Sequence, residues 1–122
     1  MDKVIRIDDK DVEFRATART PRLYRIITGR DMIIDMNKLS KSFAKVQKDS
    51  ENGEETSFTS EDLIIFEDTA YVMARHANPE IAERTADEWL DTFNMFSIYE
   101  ILPELLVLWG ENQRTTSMPK KS

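Results

Sequence analysis

The chain of 122 residues holds one histidine, His76, and no cysteine. Those two counts remove most nucleophilic and metal chemistry. There is no thiol nucleophile, no disulfide frame and no Cys-based zinc site. A general base at His76 needs a Ser or carboxylate partner at a catalytic spacing, and none stands around it. His76 follows Arg75 and precedes Asn78-Pro79, a sequence that ends a helix, so packing or a dipole-complementing role is expected. Asp8, Asp9 and Asp11 form an acidic run, but the calcium-loop pattern of alternating acids, a glycine and a closing glutamate is missing. Glu61-Asp62 and Asp87-Glu88 are adjacent carboxylates suited in type to acid–base work. Both fall where a helix should begin, and there capping and the dipole account for them. The three glycines, Gly29, Gly53 and Gly110, are scattered. They form no phosphate loop, dinucleotide turn or nucleophile elbow. The expectation is a protein that is not an enzyme, with no cofactor and no metal.

The remaining chemistry is apolar. Ser97 to Gly110 reads SIYEILPELLVLWG, interrupted by polarity or proline only at Glu100, Pro103 and Glu104. A helix that is apolar nearly all round must be covered on more than one side. In so short a chain another molecule can supply one cover, which points to assembly. The expected partner-binding residues are Tyr99, Leu102, Leu105, Leu106 and Trp109, joined by Trp89 and Phe93. Trp109 leads them, because tryptophan is enriched at binding hot spots and this one precedes a polar tail. The plainer reading places the same side chains in the core of a helical domain, where large apolar residues usually sit.

Composition bounds the partners. The net charge is −6, which works against general binding to nucleic-acid phosphates despite a local group of Arg15, Arg19, Arg22, Arg25 and Arg30. No apolar run approaches the roughly 20 residues that span a bilayer. The start, MDKVIRIDDKD, is charged from its second residue and has no signal-peptide core. A soluble protein that stays where it is made, without nucleic-acid or membrane partners, is expected. One domain suits the length.

The elements that carry these residues are mainly helical. Val4, Ile5 and Ile7, then an Asp-rich turn, then Val12, Phe14 and Ala16 predict a hairpin with one apolar face. It must rest on the helices, since a lone hairpin is marginal in water. Thr20 as cap with Pro21 opens a first helix, and Gly29 stops it. Asp31 caps a second, with Met32, Ile33, Met36, Leu39, Phe43 and Val46 at helical spacing. From 47 to 60 the chain is polar, with an Asn52-Gly53 turn signal, and predicts a mobile loop. Thr59 or Ser60 caps a third helix that ends at Asn78-Pro79. Thr85 with Glu88 forms a capping box opening a short helix with Trp89, Leu90 and Phe93. Ser97 with Glu100 forms another, leaving Asn94-Met95-Phe96 as the turn between. Pro103 either kinks the last helix or lies near its start. Gly110 is the expected stop. The reading is a mainly α fold: a small N-terminal β-hairpin packed on a bundle of about four to five helices, a single domain over 1–110 and a disordered polar tail over 111–122.

Three ordered segments then carry a resemblance: FRATARTPRLYRIITGRD after the hairpin, EDLIIFEDTAYVMARHANP in the middle, and DEWLDTFNMFSIYEILPELLVLWGEN before a Ser/Thr/Lys tail. Together they cover most of the chain outside 47–60. The chain resembles the tail assembly chaperones of long-tailed bacteriophages and prophages of Gram-positive bacteria. The resemblance implies binding to the tape measure protein, which such chaperones keep soluble, and recruitment of tail tube protein. It also implies self-association as a homo-oligomer, location in the host cell cytoplasm and absence from the mature virion. A reading of another class is a small acidic regulatory or inhibitor protein, antitoxin-like, that binds a basic partner. The charge and the acidic 47–62 stretch suit it.

Overall fold

The computed structural model describes residues 1–116. Two strands open the chain, β1 over Asp2–Ile7 and β2 over Lys10–Arg15. They pair antiparallel with Ile5 opposite Val12. Asp8 and Asp9 make the two-residue turn, both with positive φ, at 58° and 66°. A two-residue turn needs that left-handed backbone at both positions to match the strand twist, and Asp tolerates it better than most residues. Period-two alternation puts Ile5, Ile7 and Phe14 on the buried face. The Asp-rich turn has a structural use. An Asp8 carboxylate oxygen accepts the Asn94 N–H at 2.8 Å, and Lys10 donates to the Thr92 carbonyl at 2.6 Å. The hairpin tip thus clamps the connection before the last helix.

Five helices follow: α1 over Thr20–Thr28, α2 over Met32–Glu51, α3 over Ser60–Ala77, α4 over Ala86–Leu90 and α5 over Ile98–Thr116. A 3-10 turn, Pro79–Glu83, separates α3 from α4. Gly29 ends α1 in the left-handed conformation at φ 79°, and the Asp31 side chain caps α2 by accepting from Ile33 and Ile34 N–H. Thr59 and Asp62 close a reciprocal capping box on α3, as Thr85 and Glu88 do on α4.

α3 is the centre of the molecule. It packs on β2, α1, α2, α4 and α5. Accordingly Ile65, Phe66, Thr69 and every residue from Ala70 to Ala74 are buried. α2 runs antiparallel to it: Thr69 reaches Met36, and farther along α2 Ser42 donates to Asp62 at 2.9 Å. Phe14, Tyr24, Leu39, Leu102 and Leu105 close the core from the surrounding elements.

Several boundaries differ from those the sequence predicts. α2 continues through Gln47 to Glu51, so the connection begins at Asn52, not 47. That connection is tied down. Thr56 donates to the Asp49 carboxylate, Glu54 N–H donates to the Asp49 carbonyl at 2.7 Å, and Phe58 packs on Tyr99 with ring centroids 5.5 Å apart. Thr20 is not the cap of α1. It is the first helical residue, and its hydroxyl accepts the Thr17 N–H. α4 ends at Leu90, leaving Phe93 on the following connection. The hydrogen bonds at the start of α5 run from the Glu100 and Ile101 N–H groups to the Ser97 carbonyl, in place of the expected Ser97 side-chain cap. Pro103 lies inside α5, which begins five residues earlier. Gly110 does not stop α5. The helix runs on to Thr116, so 111–116 is helical, not disordered tail. The rest of the expected tail, 117–122, lies outside the described residues.

Candidate partner-binding surface

α5 repeats its apolar residues at two registers. Ile98, Ile101, Leu102, Leu105, Leu108 and Trp109 recur at i, i+3, i+4 and i+7 and form one face, all buried, on the side where β1 and α3 pack. Tyr99, Pro103, Leu106 and Gly110 recur at i, i+4, i+7 and i+11 on another. Tyr99 stays 60% exposed, and Val107 beside this stripe is 53% exposed.

This division sorts the residues expected to bind a partner. Leu102 and Leu105 are fully buried, and Trp109 and Trp89 nearly so. Trp89 is the hub of an aromatic cluster, 5.9 Å from Tyr71, 5.2 Å from Phe93 and 5.4 Å from Phe96 between ring centroids. Phe93 is half-buried there, with the Lys10 ammonium over its ring. A partner cannot touch Leu102, Leu105, Trp89 or Trp109 to any useful extent without opening the core. Their place on a contact surface is therefore corrected to a place in the core. Leu106 is half-buried, and Tyr99 is the one member of the set standing in solvent.

Around Tyr99 the chain forms a groove. α2 presents Phe43, Val46, Gln47, Ser50 and Glu51 along one wall, α5 presents Tyr99 and Pro103 along the other, and Phe58 lies against Tyr99. The open volume is about 370 Å³, within the range of ligand and side-chain pockets. Its walls are mostly apolar, and its polar edge is uncharged or acidic. Phe43, Val46 and Phe58 are the residues that sequence reasoning missed. Phe58 carried a signal, as the one large apolar residue in the polar 47–60 stretch. Phe43 and Val46 were indistinguishable from core positions on an amphipathic α2.

Other surface features are weaker. Ile34 and Ile64 are exposed, each one turn from two ion pairs, Arg30 with Asp68 at 2.8 Å and Lys38 with Glu61 at 3.3 Å. A second cavity, about 440 Å³, lies between α1, the middle of α3 and the start of α4, lined by Asp68, Tyr71, Arg75 and Arg84 among others. It gathers no nucleophile beside a base. Among the described residues no group of three or more His, Cys, Asp or Glu side chains is placed to hold a metal ion. No helix among them is long and apolar enough to cross a membrane.

The titratable groups do structural work. Arg30 donates to Asp35 at 2.8 Å, to Asp68 at 2.8 Å and to the Tyr24 hydroxyl at 3.0 Å, while Tyr24 donates to Asp35 at 2.7 Å. This clasp ties α1, α2 and α3 together. The basic group read from the sequence is thereby divided, since Arg15 is also paired, with Asp2 at 2.9 Å. His76 Nε2 lies 2.9 Å from the Thr17 hydroxyl. Burial, with help from Arg15 and Arg19, lowers its pKa, which favours the neutral ring.

No family model matches the chain, and neither a curated protein nor a solved structure matches it.

Proposed function

We propose that this chain is a tail assembly chaperone of a long-tailed phage or prophage. In this reading it binds the tape measure protein, keeps its apolar helical chain soluble and helps recruit tail tube protein in the host cytoplasm, without remaining in the virion. It performs no catalysis. One observation supports the reading beyond the resemblance in sequence. α5 spends one apolar face on the core and leaves Tyr99 and Val107 exposed, Tyr99 with Pro103 beside an apolar wall of α2. A protein that holds an apolar helix needs such a surface, plus enough net charge to stay in solution.

The test is co-expression with the long helical protein encoded downstream, followed by pull-down and size-exclusion with light scattering. The partner becomes soluble and co-elutes with the chain. Tyr99→Asp or Val107→Asp, both at exposed positions, weakens co-elution with the fold intact. If the partner precipitates whether or not this chain is present, the chaperone reading falls. The acidic-regulator reading then takes its place.

A further inference from the structure

We infer that the groove between α2 and α5 receives an amphipathic helix whose apolar stripe is flanked by Lys or Arg. This rests on the chaperone reading for its biological setting, and on the groove itself for its chemistry.

Shape comes first. The α2 wall from Phe43 to Ser50 is a single helical stripe at i, i+3, i+4 and i+7. It is about 10 Å long at 1.5 Å per residue. The α5 wall is formed by Tyr99 and Pro103, one turn apart. Two helices with a trough between them accept a third along i, i+3, i+4 and i+7 anchors. An extended strand would need a free sheet edge for its backbone bonds, and no edge borders this groove, because the hairpin lies against α3 and the far side of α5. The wall is also preformed. Asp49 holds Thr56 and the Glu54 N–H, which sets the chain just before Phe58, and Phe58 in turn holds Tyr99.

Charge selects among helices. Glu51 lines the groove. Glu54 and Glu55 are exposed on the connection that carries Phe58. Among the described residues no Lys or Arg lines the groove, and Lys45 on α2 is spent on Asp49 at 3.2 Å. The one charge lining the groove is therefore a carboxylate, with two more on the connection that supplies Phe58. A second copy of this chain, at net charge −6, meets repulsion there. A helix with flanking Lys or Arg meets attraction and is steered in faster at low salt.

The experiment titrates the full chain into a fluorescein-labelled Leu/Lys peptide of about 18 residues, long enough for five helical turns, and reads anisotropy. Two comparators are a Leu/Glu peptide with the same stripe and a Leu/Lys peptide of the same composition with the stripe scrambled. The Leu/Lys helix binds at least about tenfold more tightly than either, a difference of about 1.4 kcal/mol. Tyr99→Ser or Val46→Ser, neither of which alters net charge, removes most of that advantage, whereas Ile34→Ser on another face does not. Gln47→Lys, at an exposed position on the rim, weakens binding through charge with little risk to the fold. Equal binding of the Leu/Glu or scrambled peptide, or equal losses from Ile34→Ser and Tyr99→Ser, overturns the inference. The two readings separate cleanly. Peptide binding without rescue of the long downstream protein leaves the groove standing and removes the phage role. Rescue that is indifferent to Tyr99→Ser and Gln47→Lys leaves the role standing and removes the groove.

Discussion

At Tyr24 a hydroxyl, a guanidinium and two carboxylates are accommodated together at the meeting of three helices. Burial and the bond to Asp35 raise the Tyr24 pKa, so the phenol stays protonated and donates. Burial works against charge on Arg30, yet its bonds to Asp35, Asp68 and Tyr24 outweigh that and hold it protonated. Tyr24→Phe leaves the ring in place but deprives the buried Asp35 carboxylate of a donor, at a cost of about 1–3 kcal/mol. A lower urea midpoint at unchanged slope is the expected result. His76 is the second case. Its native pKa lies below the ordinary 6.5, so the unfolded chain binds more protons across that interval. Stability therefore rises with pH through the interval and is lost on acidification from pH 7. Melting temperature falls between about pH 7 and 5.5, before most carboxylates titrate. His76→Gln flattens that slope; an unchanged slope in the variant places the titration elsewhere. The histidine's packing role was readable from its position near a helix end. Its partner was not, because Thr17 is 59 residues away in sequence.

At the scale of elements, most caps were legible, as were the stops at Gly29 and Asn78-Pro79, but the ends of α2 and α5 were not. Asp31, Thr59 and Thr85 announce helix starts because a short polar side chain must satisfy N–H groups that have no helical partner. The end of α2 sends no such signal. Its apolar spacing ceases at Val46, but QKDSE contains nothing that breaks a helix, and the buried Asp49 gives the last turn a reason to persist by anchoring the connection. Asp49→Ala removes the carboxylate that holds Thr56 and keeps the backbone carbonyl that holds the Glu54 N–H. Limited proteolysis should then cut faster within 52–57, with cleavage elsewhere unchanged; an unaltered pattern would show that Phe58 and the Glu54 backbone bond secure the segment without the carboxylate. Gly110 misled for a physical reason. Glycine ends a helix when it adopts a left-handed backbone, as Gly29 does, whereas Gly110 stays within α5 and lies on its outer stripe.

For the whole molecule, the division of α5 into a buried face and an outer face decides which variants report on binding. Leu105→Asp places a carboxylate in a fully buried site and should cost more than about 4 kcal/mol. That is a large part of the 5–15 kcal/mol that holds a typical domain together. Tyr99→Ser removes a ring that is mostly in solvent, so its cost in stability should be about 1 kcal/mol or less, with its effect appearing in partner binding. Far-UV circular dichroism and urea denaturation of the two variants, run beside the co-expression assay, check this. Equal losses of stability would mean that α5 has no spare face.

The sequence alone determined the fold class, the hairpin with its apolar side, the order of the helices and most of their starts. Each of these rests on local chemistry: period-two or 3.6-residue spacing, caps and turn residues act within a few positions of themselves. Sequence also showed that α5 carries more apolar surface than one contact can cover. Only the tertiary structure decided which part of that surface is spare. Leu102, Leu105, Trp89 and Trp109 went inside because β1, α3 and the aromatic cluster reach them, while Tyr99 stayed out beside Phe43, Val46 and Phe58. A groove whose walls come from 43–51 and from Tyr99 and Pro103, far apart in the chain, has no signature in either segment. Its walls are chosen by how α2 and α5 are held around α3, and that placement depends on the packing of the whole core.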